Sequence, residues 1–209
     1  MNQNTMSLSY WKVGITLIGS PWSGKSTLGR IVHRELPTLN FHDHDDHWLE
    51  PELIRLSYLS IADAIEKIGD RAFLNFEEKF TTQNYGRTNE NRKFSLDNTL
   101  FASSGSLVRS GISIEHIRER THIILLDVPI DTVITQIHNR SGGSWRIIGI
   151  NGWPNEEEPM NKSLEEELTC RYELYRRYQD SILEHRPRET PETTAMRLLK
   201  HIQDILRNS

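Results

Sequence analysis

The sequence predicts an α/β protein with three layers, in which helices cover both faces of a five-stranded parallel sheet. Short apolar segments typical of buried strands alternate along the chain with segments of helical periodicity, an order that favours parallel pairing. The first strand also runs directly into a glycine-bounded loop and then a helix, as in α/β folds that bind phosphate groups. The predicted strands are residues 11–18, 37–42, 99–102, 122–128 and 181–184.

The loop after the first strand has the spacing GxxxxGK[ST] of a phosphate-binding loop. Its two glycines permit backbone conformations in which successive N–H groups turn toward a ligand. Lys25 is expected to reach the β- and γ-phosphates of a nucleotide, and the Ser26 hydroxyl is expected to ligate Mg²⁺. The residues predicted to bind the nucleotide here are Gly19, Ser20, Ser23, Gly24, Lys25, Ser26 and Thr27.

Length and composition favour one domain spanning residues 1–209. The formal net charge of −4 argues against a general affinity for nucleic acids. No apolar run approaches membrane-spanning length, and the polar N-terminus has no pattern of a secretion signal. The single cysteine, Cys170, fits a reducing compartment. We therefore expect a cytoplasmic protein that binds neither membranes nor nucleic acids.

Helix and loop signals divide the rest of the chain. Ser60 and Asp63 predict a capped helix start. The polar residues 83–97 predict an exposed loop. Residues 141–162 contain four glycines, two prolines and an acidic run, which predicts a mobile lid or an insertion. The predicted helices are residues 28–35, 60–69, 70–80, 129–140 and 164–180, and a last one that begins at Thr190 and Pro191.

An acidic segment, residues 43–50, follows the second predicted strand. A carboxylate at the carboxyl end of a strand beside a phosphate loop can hold a magnesium-bound water or orient a hydroxyl nucleophile. The interleaved histidines His42, His44 and His47 leave a transition-metal site open, although their spacing matches no familiar zinc pattern. A solvated acidic loop is the remaining alternative.

Taken in order, these motifs resemble the shikimate kinase family over about residues 13–206, nearly the whole chain. The resemblance implies a three-layer α/β/α P-loop kinase fold with a five-stranded parallel sheet and a mobile lid. It also implies a monomer that transfers the γ-phosphoryl group of ATP, with Mg²⁺, to a hydroxyl of shikimate. Besides the phosphate loop, it rests on Asp43 and Asp45, Ser60, Phe73 with Glu77, the turn Ser104-Gly105-Ser106, residues 140–146 and residues 171–177.

The resemblance implies catalytic roles for Lys25, Asp43 and Arg146. Asp43 would place Mg²⁺ together with Ser26 and would lie near the attacking hydroxyl. Arg146, on the lid, would stabilise the charge of the transferred phosphoryl group. Arg140 and Arg188 would contact the nucleotide.

On the acceptor side, the resemblance implies that Asp45 binds substrate hydroxyls, that Gly105 lets the substrate approach the backbone, and that Arg171 pairs with its carboxylate. A surface ion pair with Glu166 or Glu167 is the alternative for Arg171. The family normally has a second carboxylate-binding arginine where this chain has Leu74. We hypothesise that Arg71, three residues earlier on the predicted helix, compensates for it.

Other departures from the family leave the acceptor open. Serines flank Gly105 where the family has glycines, and Trp22 occupies a loop position that is usually small. A kinase of the same fold that acts on another hydroxy acid, a polyol or a nucleoside is therefore an alternative. A nucleotide-binding protein without turnover, with residues 151–160 as a contact surface, is a further one.

Overall fold

The computed structural model describes residues 13–90, 92–141 and 164–207, with the backbone alone for residues 140 and 141. The strands are β1 (Gly14–Ile18), β2 (Asn40–Asp43), β3 (Tyr85–Gly86), β4 (Phe94–Ser95), β5 (Thr99–Ala102), β6 (Thr121–Asp127) and β7 (Ser181–Glu184). The helices are α1 (Lys25–Glu35), α2 (Glu50–Arg55), α3 (Ile61–Ile68), α4 (Asp70–Asn84), α5 (Gly111–Arg118), α6 (Ile130–Ser141), α7 (Leu164–Tyr178) and α8 (Pro191–Arg207).

Five strands form one parallel sheet in the order β2-β5-β1-β6-β7, which confirms the predicted sheet. The central strand β1 is buried along its whole length, because sheet neighbours and helices surround it on every side. The chain leaves β1 toward β2 on one side and later reaches β6 on the other. Crevices at such reversals, outside the carboxyl ends of the strands, are where α/β sheets bind ligands.

Helices cover both faces of the sheet, so the predicted three layers are confirmed. Side chains from β1 and β6 alternate between the two faces, as the two-residue period of a strand requires. Ile15 and Ile124 join a core with α1 and α8, whereas Ile18 and Ile123 join the core on the other face. That second core contains residues of α2, α3, α4, α5 and α7. Within the described residues, no helix is long and apolar enough to cross a membrane.

The prediction of an exposed loop at residues 83–97 is wrong in part. Helix α4 continues to Asn84, and β3 then pairs in parallel with β4. Tyr85, Phe94 and Leu96 are buried in the core. The polar composition of the segment concealed these three apolar positions, because residues 87–89 and 92–93 between them are exposed.

The acidic segment after β2 is helical rather than a loop. It forms one π-helical turn, His44–Leu49, that continues into α2. The capped start of α3 is confirmed, since the Ser60 hydroxyl accepts the Asp63 N–H at 3.1 Å. Several predicted boundaries shift by a few residues: β2 begins at Asn40, and α7 ends at Tyr178.

Gly29 lets α1 pack closely on β2, and this contact gives a test of the fold. A Cβ at this position would lie 2.1 Å from Cε2 of Phe41. We expect Gly29→Ala to lower the free energy of unfolding by about 1–3 kcal/mol, because the ring has to move. Gly111→Ala, where the nearest atom is 3.9 Å away, is the control and should change it by less than about 1 kcal/mol. Urea unfolding measures both; equal losses would contradict the packing.

Candidate active site

The loop between β1 and α1 has backbone conformations that explain its glycines. Gly19 and Gly24 have φ angles of 149° and 94°, in a region that side chains rarely tolerate. Trp22 also has a positive φ, 60°, which is unusual for a bulky residue. The loop then ends at the N-terminus of α1, where unpaired N–H groups and the helix dipole favour phosphate.

Lys25 folds back over this loop. Its Nζ donates to the carbonyl oxygens of Gly19 at 2.8 Å and Ser20 at 2.9 Å, and it lies 3.5 Å from Ser23 Oγ. The side chain is 7% exposed. Burial lowers the pKa of Lys25 to about 8, although Asp45 and Asp43 oppose this shift. Oxygens of the loop itself therefore hold the predicted phosphate-binding lysine above the loop.

A cavity of about 460 Å³ opens beside the loop. Seven of the predicted donor and acceptor residues meet in its wall, although they come from four separate segments of the chain. Ile61, Ile65 and Phe73 give it an apolar side. A concave site with a few convergent polar groups is typical of small-molecule binding. The predicted residues that line it are Gly24, Lys25, Ser26, Thr27, Asp45, Gly105 and Arg171.

Asp43 lies at the end of β2 and is 3% exposed. Its Oδ1 accepts the Asp46 N–H at 3.2 Å, and its Oδ2 lies 3.8 Å from the Arg30 guanidinium. Oδ2 is buried without a hydrogen-bond partner among the described residues. A carboxylate oxygen left in this state, together with the Ser26 hydroxyl, fits the oxygen ligands that Mg²⁺ prefers.

Asp45 projects into the cavity from the π-helical turn. The pKa of Asp45 is raised to about 7, chiefly by burial; Glu77 and Asp43 contribute to the rise, whereas His44 and Lys25 oppose it. A carboxyl group that exchanges its proton near neutral pH, in a cleft, is typical of functional sites.

Arg171 is 1% exposed and reaches the cavity from α7. Its Nε donates to Glu167 Oε1 at 2.7 Å, and its Nη1 donates to the Gly105 carbonyl at 3.0 Å. Arg109 pairs with the other oxygen of Glu167, and the Tyr175 hydroxyl donates to the Gly105 carbonyl at 2.7 Å. The ion pair with Glu167 thus exists, but in the interior rather than at the surface.

Other predicted residues lie elsewhere. Arg71 is exposed on α4 and is not part of the cavity wall, whereas Leu74 packs in the core. Arg188 is an exposed residue between β7 and α8 with a φ of 67°. The side chain of Arg140, at the end of α6, lies outside the described residues. So do Arg146, most of the predicted lid at 141–162, and residues 151–160.

The three histidines have different surroundings. His44 is fully buried, and His47 Nδ1 accepts the Asp43 N–H at 3.2 Å. Burial lowers the pKa of His42 to about 4. In the described part of the chain, no three His, Cys, Asp or Glu side chains are arranged to hold a metal ion.

Sequence reasoning missed a second cavity, of about 160 Å³, on the other side of the loop. Its wall combines Ser23 and Thr27 with apolar residues at the ends of β6 and β7 and with the start of α8. No local motif marks it, because its residues come together only when the sheet forms. Trp22 borders both cavities and also packs on apolar residues of α6 and α7, among them Val133 and Leu168.

Comparisons with known proteins agree with this geometry. The family model described as shikimate kinase matches residues 21–203. A shikimate kinase of Clostridium botulinum (strain Eklund 17B) is 30% identical over 141 residues, which cover 65% of this chain and 76% of that protein. The solved shikimate kinase of Acinetobacter baumannii in complex with shikimate has a TM-score of 0.65 at 20% identity. It covers 92% of this chain and 94% of that one.

A human protein named threonine synthase-like 1 is 26% identical over 194 residues, or 91% of this chain. The chain spans only 23% of the length of that relative.

The raised pKa of Asp45 predicts how stability depends on pH. Since the folded protein holds this proton up to about pH 7 and the unfolded chain loses it near its ordinary value of 3.8, the free energy of unfolding should fall between these values. Asp45→Asn should remove the fall in the free energy of unfolding that Asp45 causes, and should stabilise the protein at pH 8 by about 1–3 kcal/mol. Urea unfolding at pH 5 and pH 8 measures the free energy of unfolding of both proteins. Asp46→Asn, an exposed neighbour, should leave the decline intact; the reverse pattern would contradict the assignment.

Proposed function

The chain belongs to the shikimate kinase family, and from this premise we propose that it is an ATP-dependent kinase of a small hydroxyl-bearing molecule. Shikimate is the leading acceptor, since a solved relative is in complex with it. The observation that carries the proposal is the 460 Å³ cavity, whose wall joins Lys25 and Ser26 of the phosphate loop to Asp45 and Arg171.

On the donor side, the loop N–H groups and Lys25 bind the phosphates of ATP. The smaller cavity beyond the loop accepts the base, because Leu126, Val128 and Leu183 give it an apolar wall. Arg140, near the end of α6, and Arg188, between β7 and α8, are proposed to contact the nucleotide. Ser26 and Asp43 would hold Mg²⁺, which neutralises charge on the phosphates when it is bound.

Phosphoryl transfer of this kind depends mainly on positioning and on charge stabilisation. Lys25 binds the transferred group, and Arg146 is proposed to add a second positive charge from the lid. Asp43 orients the attacking hydroxyl. Asp45 hydrogen-bonds a neighbouring hydroxyl, and with a pKa of about 7 it is able to do so as donor or acceptor.

Arg171 is proposed to bind a carboxylate of the acceptor. Its guanidinium is already fixed by Glu167 and by the Gly105 carbonyl, so that little side-chain entropy is lost on binding. A different acceptor is the second candidate, favoured by one observation: Leu74 packs in the core and gives the cavity no second cation. Arg71, whose side chain is exposed, remains a hypothesis for that role.

We propose that the reaction takes place in the cytoplasm, where ATP is available, and that the enzyme is a monomer. The chain has a single cysteine, Cys170, and therefore no internal disulfide, which fits a reducing compartment.

Acceptor-dependent ADP release tests the proposal. Wild-type protein with ATP and Mg²⁺ should release ADP in the presence of shikimate, or of one member of a panel of hydroxy acids, polyols and nucleosides. Lys25→Met should lower kcat by at least about 100-fold, because it removes the positive charge that stabilises the transferred phosphoryl group. The thermal midpoint of the variant should show that it is folded.

Each outcome of this assay decides between the candidates. Turnover of shikimate supports the first, and selective turnover of another acceptor supports the second. Binding of ATP without acceptor-dependent ADP release would contradict both and leave a nucleotide-binding protein without turnover.

A further inference from the structure

Two serines in the cavity wall are tied to a carboxylate buried behind them. Ser104 and Ser106 flank Gly105 and line the cavity. Both hydroxyls donate to Oε1 of Glu77 on α4, Ser106 at 3.1 Å and Ser104 through a shorter bond. Ser104 Oγ also accepts the Leu107 N–H at 3.1 Å, which fixes the turn. Glu77 is 1% exposed, so the serines, rather than Glu77 itself, present hydrogen-bonding groups to the cavity.

A fully buried histidine approaches the same carboxylate from the other side. His44 Nε2 lies 3.6 Å from Glu77 Oε1, and His44 Nδ1 lies 3.3 Å from the Tyr85 hydroxyl. Burial raises the pKa of Tyr85 well above its ordinary value, so this phenol keeps its proton and can donate it to Nδ1. In that tautomer the imidazole hydrogen is on Nε2 and faces Glu77.

The ion pair with His44 adds to the hydrogen bonds that the serines make to Glu77. Within the described residues, neither His44 Nε2 nor Glu77 Oε2 has a hydrogen-bond partner, and both are buried. Buried polar atoms without hydrogen bonds are costly, and the 3.6 Å contact between the imidazole and the carboxylate offsets part of this cost. Leu74, one turn earlier on α4 than Glu77, is apolar and provides no cation.

We propose that His44 is a positioning residue for the acceptor: it holds Glu77, and Glu77 in turn orients the Ser104 and Ser106 hydroxyls in the cavity wall. This inference rests on the proposed kinase function and assigns a cause to its acceptor choice. The π-helical turn supports both roles at once, because it directs His44 into the core and Asp45 into the cavity.

The orientation of the serines determines which ligand groups fit. Each hydroxyl has one proton, and both protons are used for Glu77. The Ser106 oxygen therefore presents only lone pairs to the cavity. This oxygen favours an acceptor molecule that directs a hydroxyl or ammonium group toward it rather than a second carboxylate.

Two substitutions of His44 separate its two contacts. A glutamine amide nitrogen replaces Nε2 and keeps the contact with Glu77, whereas an asparagine amide replaces Nδ1 and loses it. We expect His44→Asn to raise the KM for the acceptor by about tenfold or more, with the KM for ATP changed less than about twofold. His44→Gln should restore the acceptor KM to within about threefold of wild type.

These KM values are measured with whichever hydroxy acid, polyol or nucleoside of the proposed panel shows the highest turnover. Shikimate is measured with every variant as well. His116→Gln is the matched control, since this half-buried histidine bonds the Tyr85 carbonyl instead and should leave both KM values unchanged. Equal acceptor KM values for His44→Asn and His44→Gln, or a parallel rise in the KM for ATP, would overturn the proposal.

A second measurement does not depend on turnover. A double-mutant cycle combines His44→Asn with Glu77→Met and measures the unfolding equilibrium constant of each variant. The factor by which the double variant changes this constant should differ at least about threefold from the product of the factors for the two single variants. If no acceptor on the panel gives ADP release, the proposed function fails and this cycle alone decides the inference. Independent effects in the cycle would overturn it.

Discussion

The contact between Gly105 and Pro21 joins the two halves of the site, and the other functional contacts depend on it. A Cβ at Gly105 would lie 2.7 Å from Cγ of Pro21, so only glycine lets the turn after β5 touch the phosphate loop. The Gly105 carbonyl then accepts from Arg171 and Tyr175 of α7. One backbone unit therefore sets the spacing of the donor loop, the acceptor wall and the helix that carries the buried arginine.

Charges of opposite sign share the cavity, and burial shifts each of them toward its neutral form. The pKa of Lys25 falls to about 8, while that of Asp45 rises to about 7. Both groups therefore change charge near the pH at which a cell works, and small changes in their surroundings move protons between states. A polyphosphate beside Lys25 favours its ammonium form, whereas the same anion disfavours ionisation of Asp45. Donor binding and the protonation of the acceptor side are thus linked by electrostatics.

The parts of the fold that local pattern determines were predictable. The five strands and the phosphate loop follow from apolar runs and glycine spacing. Burial that depends on tertiary packing was not: Tyr85 and Phe94 lie in a polar segment, and only their contacts with Phe101 and each other reveal their place in the core. Spacing also did not show that the turn after β2 sends Asp45 outward and its neighbour His44 inward, because a π-helical turn has no distinctive sequence signal.

The acceptor half differs from the family pattern at several positions that are physically connected. With leucine at position 74, no cation stands one turn before the buried carboxylate of Glu77 on α4. The serines on both sides of Gly105 supply hydrogen bonds to it, and His44 supplies a donor from the opposite side. A single arginine restored at position 74 would enter an apolar core and compete with partners already in place. We therefore expect acceptor recognition to depend on these residues together, so that a change of one member also alters the contacts of the others.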